Sequence, residues 1–113
     1  MSVKLKQISL SRQVRNGRCG TPPKVLTRYL DACDQRAQGL SREQARQVYI
    51  SVFNVILEVV CDDLIAKCWR GWCLDNVYKP LAMLRVLSVS VNEKKELASL
   101  EAQMRLLSCY FLR

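Results

Sequence analysis

The sequence predicts an all-α domain: a small bundle of about four helices around a long central apolar helix, preceded by a basic, flexible N-terminal arm. Three observations carry that reading. The longest apolar run, Val48 to Cys61, has only Ser51, Asn54 and Glu58 as polar members. Spaced i, i+3 and i+7, they form one narrow stripe on a helix; Gln44, Gln47 and Asp62 extend it, and the remaining circumference is apolar, as in a buried helix. Second, Ser41-Arg42-Glu43-Gln44 and Ser90-Val91-Asn92-Glu93 are capping boxes, in which a serine and a residue three positions on satisfy each other's free backbone N–H groups. Third, Leu97, Leu100, Met104, Leu107 and Phe111 are spaced 3, 4, 3, 4, the seam of an amphipathic helix.

The 113 residues fit one domain, and with half of them hydrophobic a core is within reach. The expected division is an arm over residues 1–20 and a helical domain over 21–113. The first residues hold no apolar stretch of leader type, so a cytoplasmic location is expected. On that basis the six cysteines read as reduced thiols rather than a disulfide framework. With no histidine and no C-x-x-C, neither a metal site nor any other cofactor is expected. The central run is 14 residues long and contains Glu58, whereas a membrane span needs about 20 apolar residues, so no membrane association is expected.

Charge is unevenly distributed within the net +8. Lys4, Lys6, Arg12, Arg15, Arg18 and Lys24 face no acid up to residue 24, while the rest of the chain carries 12 basic against 10 acidic residues. Basicity is thus a property of the arm. Val3, Leu5, Ile8 and Leu10 partly alternate with polar residues, which suits a short strand or a disordered tail. The arm offers little apolar surface, so its removal over residues 1–18 is expected to leave the fold intact.

In chain order, Thr21 caps a first helix near 22–38, with Pro22 in its first turn and Val25, Leu26, Tyr29, Leu30, Cys33 and Ala37 on its apolar face. Gly39 is a left-handed stop over which Leu40 folds back. The central helix is expected over 42–69, ending at Gly71. Trp69 and Trp72 beside Arg70 read as core, with an interface as the alternative. A third helix, near 79–90, begins around Pro80; Leu81, Leu84 and Leu87 make one side apolar and Met83, Val86 and Val89 the other, so it should be largely buried. The last helix is expected over 92–111.

No catalytic equipment is apparent, and the chain reads as a non-enzyme. There is no histidine to act as a base at neutral pH, no glycine-rich phosphate loop, and no serine or cysteine with an activating neighbour. What remains is apolar surface in excess of what four helices need, with aromatic residues and arginine at hand, the composition of a protein interface. The expected partner-binding residues are Tyr49, Phe53, Trp69, Trp72, Leu97, Leu100, Met104, Leu107 and Phe111, serving another protein and a homodimer.

Two resemblances follow. The basic arm, the helix after it and Gly39-Leu40-Ser41-Arg42-Glu43-Gln44-Ala45 resemble, over residues 3–60, the ribbon-helix-helix repressors, although Ser11 to Gly20 intervenes where that family runs almost directly from strand to helix. That resemblance implies DNA binding through a strand carrying Lys4, Lys6, Arg12, Arg15 and Arg18. The whole pattern around Val48–Cys61 and Leu97–Phe111 is similar to small helical bacterial anti-activators of quorum sensing. This second resemblance implies a non-catalytic regulator that binds a transcription regulator and blocks it.

Overall fold

The computed structural model describes residues 3–18 and 20–111, without the side chains of Val3, Tyr110 and Phe111. The described residues form six α-helices and no strand: α1 (Val3–Arg15), α2 (Lys24–Gln38), α3 (Arg42–Val60), α4 (Lys67–Asp75), α5 (Tyr78–Leu87) and α6 (Val91–Phe111). The chain is a slab, 37 × 36 × 15 Å, about two helix layers thick. No described helix is long and apolar enough to cross a membrane.

The centre is α3. Val52, Phe53, Ile56, Val59 and Val60 are fully enclosed, and the stripe Gln44, Gln47, Ser51, Asn54 and Glu58 is exposed. Its start is the expected capping box: Ser41 Oγ accepts from Gln44 N at 3.3 Å, and Gln44 Oε1 accepts from Ser41 N at 3.4 Å. Every other helix packs on α3, so its apolar circumference is satisfied within the chain.

The N-terminal arm is corrected to a helix. Residues 3–15 form α1, which packs along α2 and onto α3. Its buried face is Gln7, Leu10 and Val14, at i, i+3 and i+7, and one of the three is polar. Gln7 is tolerated there because its Oε1 accepts a 2.7 Å hydrogen bond from Arg36 Nη1 of α2. Leu5 and Ile8, which made the segment look like a strand, are on the outer side. The α1–α2 connection passes close to α4. Trp69 Nε1 donates to the Val14 carbonyl at 2.9 Å, and a Cβ on Gly17 would run into the same indole ring, so the chain passes there as glycine.

Other boundaries also differ from expectation. Thr21 does not cap α2; its Oγ1 accepts from Arg18 N, and the first α2 amides bond to the carbonyls of Pro22 and Pro23. Gly39 ends α2 at φ −91°, so it is not a left-handed stop, although Leu40 does fold back over the last turn. The expected 42–69 helix is two helices. Asp62 Oδ1 accepts from Leu64 N at 2.9 Å, and the Asp62 carbonyl accepts from Ile65 N at 3.0 Å. This local turn competes with helix propagation and brings Ile65 and Trp69 back under the core. Gly71 lies inside α4, which ends instead at Asn76, whose Nδ2 donates to the Trp72 carbonyl at 2.9 Å.

Cys68 is disulfide-bonded, which corrects the reading of all six cysteines as reduced. Disulfides persist in oxidising surroundings, so this bond and the expected cytoplasmic location pull in opposite directions. Cys33, Cys61, Cys73 and Cys109 are free.

The last two helices are fastened to α3 by arginines. Arg46, a buried residue, donates from Nη2 to Glu96 Oε1 at 2.9 Å and from Nε to Ser88 Oγ at 3.3 Å. Arg42 Nη1 reaches the Leu87 carbonyl and Glu93 Oε1 at 2.6 and 2.8 Å. Glu93 completes the second capping box, accepting from Ser90 N at 3.0 Å and from Val89 N at 3.1 Å. The Ser90 amide, the Arg42 guanidinium and the Val89 amide together hold its carboxyl down at about 2. A carboxyl pKa lowered by folding adds stability above its unfolded value and loses it as the pH falls through the folded one. Acid titration of the wild type is therefore expected to lose more stability between about pH 4.5 and 2 than that of Glu93→Gln. Identical acid profiles would show that the cap carries no linkage.

Candidate functional site

The side chains proposed from sequence for partner binding do not form one surface. Tyr49, Phe53 and Trp69 are buried in the chain's own core. Leu97 and Met104 are buried where α6 lies on the rest of the chain, Leu100 and Leu107 are half-buried, and Trp72 is partly exposed. The Phe111 side chain lies outside the described residues. The five basic residues also separate. Lys4, Lys6 and Arg12 are exposed on α1, Arg18 is exposed in the connection, and Arg15 is tied down, bonding Glu58 at 3.2 Å and Asp62 at 2.9 Å. Lys6 and Arg28 share a shallow depression of 330 Å³ with Ser9 and Leu10. The ribbon arrangement needs residues 3–10 as a strand, and they are helix.

A different surface emerges. Between α2 and α5, with α3 as its floor, lies a groove of 590 Å³, within the usual size range of binding sites. Leu30, Cys33 and Ala37 come from α2, Ala45, Tyr49 and Val52 from α3, and Tyr78, Ala82, Met83 and Leu87 from α5. The helix pattern explains the placement. Only Pro80, Leu81 and Leu84 of α5 are buried, because this ten-residue helix packs mainly on α3, with a smaller contact to α6, and so covers about one side of itself. The side carrying Met83, Val86 and Val89 was expected to be buried; instead Met83 is 38% exposed, Val86 72% and Val89 61%, and Tyr78 at the start of α5 is 62% exposed.

The polar groups of the groove are few and fixed. Tyr49 Oη donates to Asp34 Oδ1 at 2.7 Å, joining the floor to the α2 wall. Burial, reinforced by Asp34, raises the Tyr49 phenol above its ordinary value, so it keeps its proton as a donor. Burial likewise pushes the Cys33 thiol up to about 12, against the opposing effect of the Tyr29 hydroxyl, so at neutral pH it is a small apolar group and not a thiolate. Asp31 stands one turn before Asp34 on the same wall, and Lys79 is on the wall opposite. The groove therefore presents apolar contact area with acids along one edge. Sequence reading missed Asp31, Asp34, Tyr78, Met83 and Val86 as site residues. The signal was present in the second apolar side of α5, taken there as a mark of burial.

No family description, curated protein or solved structure matches this chain.

Proposed function

We propose that this chain is a non-catalytic regulatory protein that acts by binding another protein through the α2–α5 groove and the outer face of α5. The observation that supports this is the exposed apolar track Tyr78, Met83, Val86 and Val89, continuous with a preformed groove. Monomeric proteins rarely leave contiguous apolar patches larger than a few hundred Å² uncovered, and larger ones mark docking sites. On the resemblance read from the sequence, the partner we propose is a bacterial transcription regulator, whose activity would be blocked by occupation of an apolar surface it needs.

The test is affinity capture from nuclease-treated lysate with the wild-type chain and with Val86→Glu, at low and high salt. Val86 is exposed, so the charge is expected to leave the fold unchanged, which its melting curve checks. One stoichiometric protein, kept by the wild type at high salt and lost by the variant, is the expected result. An apolar interface is little affected by screening, whereas phosphate contacts weaken with a slope of about −0.9 per phosphate. Capture of the same partner by Val86→Glu, or of nucleic acid alone at low salt, would reject the reading.

A further inference from the structure

We infer that the groove takes an amphipathic α-helix of the partner that carries a lysine or arginine beside its apolar stripe. This deepens the protein-binding reading and rests on it. Three features select that occupant. The walls are helices whose backbone groups are bonded internally, so they offer no edge to an added strand; side chains from another helix are what such a groove accepts. A small molecule could fill the groove but would leave the rest of the track bare. From Tyr78 to Val86 the track runs along α5 for about 12 Å, some two turns, and Val89 carries it further. A helix with apolar residues at i, i+3, i+4 and i+7 covers that length.

Charge decides the remaining chemistry. In a chain of net +8, the α2 wall of the groove carries two carboxylates one turn apart. The Tyr49 hydroxyl fixes Asp34 at the groove, and Asp31 is exposed and makes no ion pair or hydrogen bond among the described residues. Lys79, on the α5 wall, gives the groove a negative and a positive side. A helix lying between them gains most when its cation faces α2. At long range the net charge repels a cationic helix, so a preference for one would have to arise locally.

The probe is a synthetic helix of about 15 residues built only of leucine and lysine, with leucines at i, i+3, i+4 and i+7, beside a twin with glutamate for lysine. Both are titrated against the full chain by fluorescence anisotropy at about 0.15 M ionic strength, where screening confines charge effects to roughly 8 Å. The lysine peptide is expected to bind the wild type several-fold tighter than its twin. Asp31→Lys is expected to weaken the lysine peptide by about fivefold and remove the preference. The double variant Met83→Ser/Val86→Ser is expected to lose both peptides.

Tighter binding of the glutamate twin, or no effect of Asp31→Lys, would overturn the inference, as would unchanged binding by the double variant. So would a dimer, seen by sedimentation, that excludes the peptide, since a second copy would then fill the groove. If the peptides fail while Val86→Glu still loses the captured partner, the helix chemistry falls and the protein-binding reading stands.

Discussion

Deleting residues 1–16 is expected to abolish cooperative unfolding, the opposite of what the arm reading of this segment implies. The helix it removes places Leu10 and Val14 in the core, and each such side chain is worth about 1.5–3 kcal/mol of burial. The Trp69 indole N–H would lose its acceptor, the Val14 carbonyl, at a cost of about 1–3 kcal/mol if it stays buried. Arg36 would lose Gln7, and Glu58 and Asp62 would lose Arg15. The first two effects together reach roughly 4–9 kcal/mol, comparable with the 5–15 kcal/mol total of an ordinary domain. Urea unfolding followed by tryptophan fluorescence is the measurement, because Trp69 reports on the contact that is removed. A truncated chain with the midpoint of the full one would show that α1 contributes nothing to the fold.

Phe53→Ala is expected to lower stability by about 3–5 kcal/mol, the usual cost of emptying a phenylalanine site in a core that cannot collapse around the void. Phe53 is fully enclosed in α3, with Val52 before it and Ile56 about one turn on equally enclosed. By contrast Val86→Glu, on the exposed track, should stay within about 0.5 kcal/mol. Paired urea titrations of the two variants check this. If Phe53→Ala unfolds at the wild-type midpoint yet loses the partner, Phe53 belongs to an interface after all.

These expectations reverse parts of the sequence reading for identifiable reasons. The arm looked detachable because Val3, Leu5, Ile8 and Leu10 suggested alternation, while the true buried stripe of α1 includes a glutamine. A buried glutamine is visible as such only once Arg36 stands opposite it. Tyr49, Phe53 and Trp69 looked like interface anchors because four helices seemed too few to cover α3. The chain has six among its described residues, and α1 and α4, the two not foreseen as separate helices, supply the missing cover.

The sequence by itself determined the helical class, both capping boxes, the ends of α2 and the last helix to within about two residues, and the polar stripe of α3. Each of these is local: a serine bonding an amide three residues away, or a period of 3.6 residues, is written in neighbouring positions. Only the tertiary structure decided that the stripe Gln7, Leu10 and Val14 is core and that α5 carries an exposed apolar track. Those outcomes depend on partners up to 55 positions apart, as Trp69 is from Val14. Periodicity marks a face as apolar but does not say which neighbour covers it. The same valines and methionine read as core or as docking surface until the positions of α2 and α3 leave one side of α5 open.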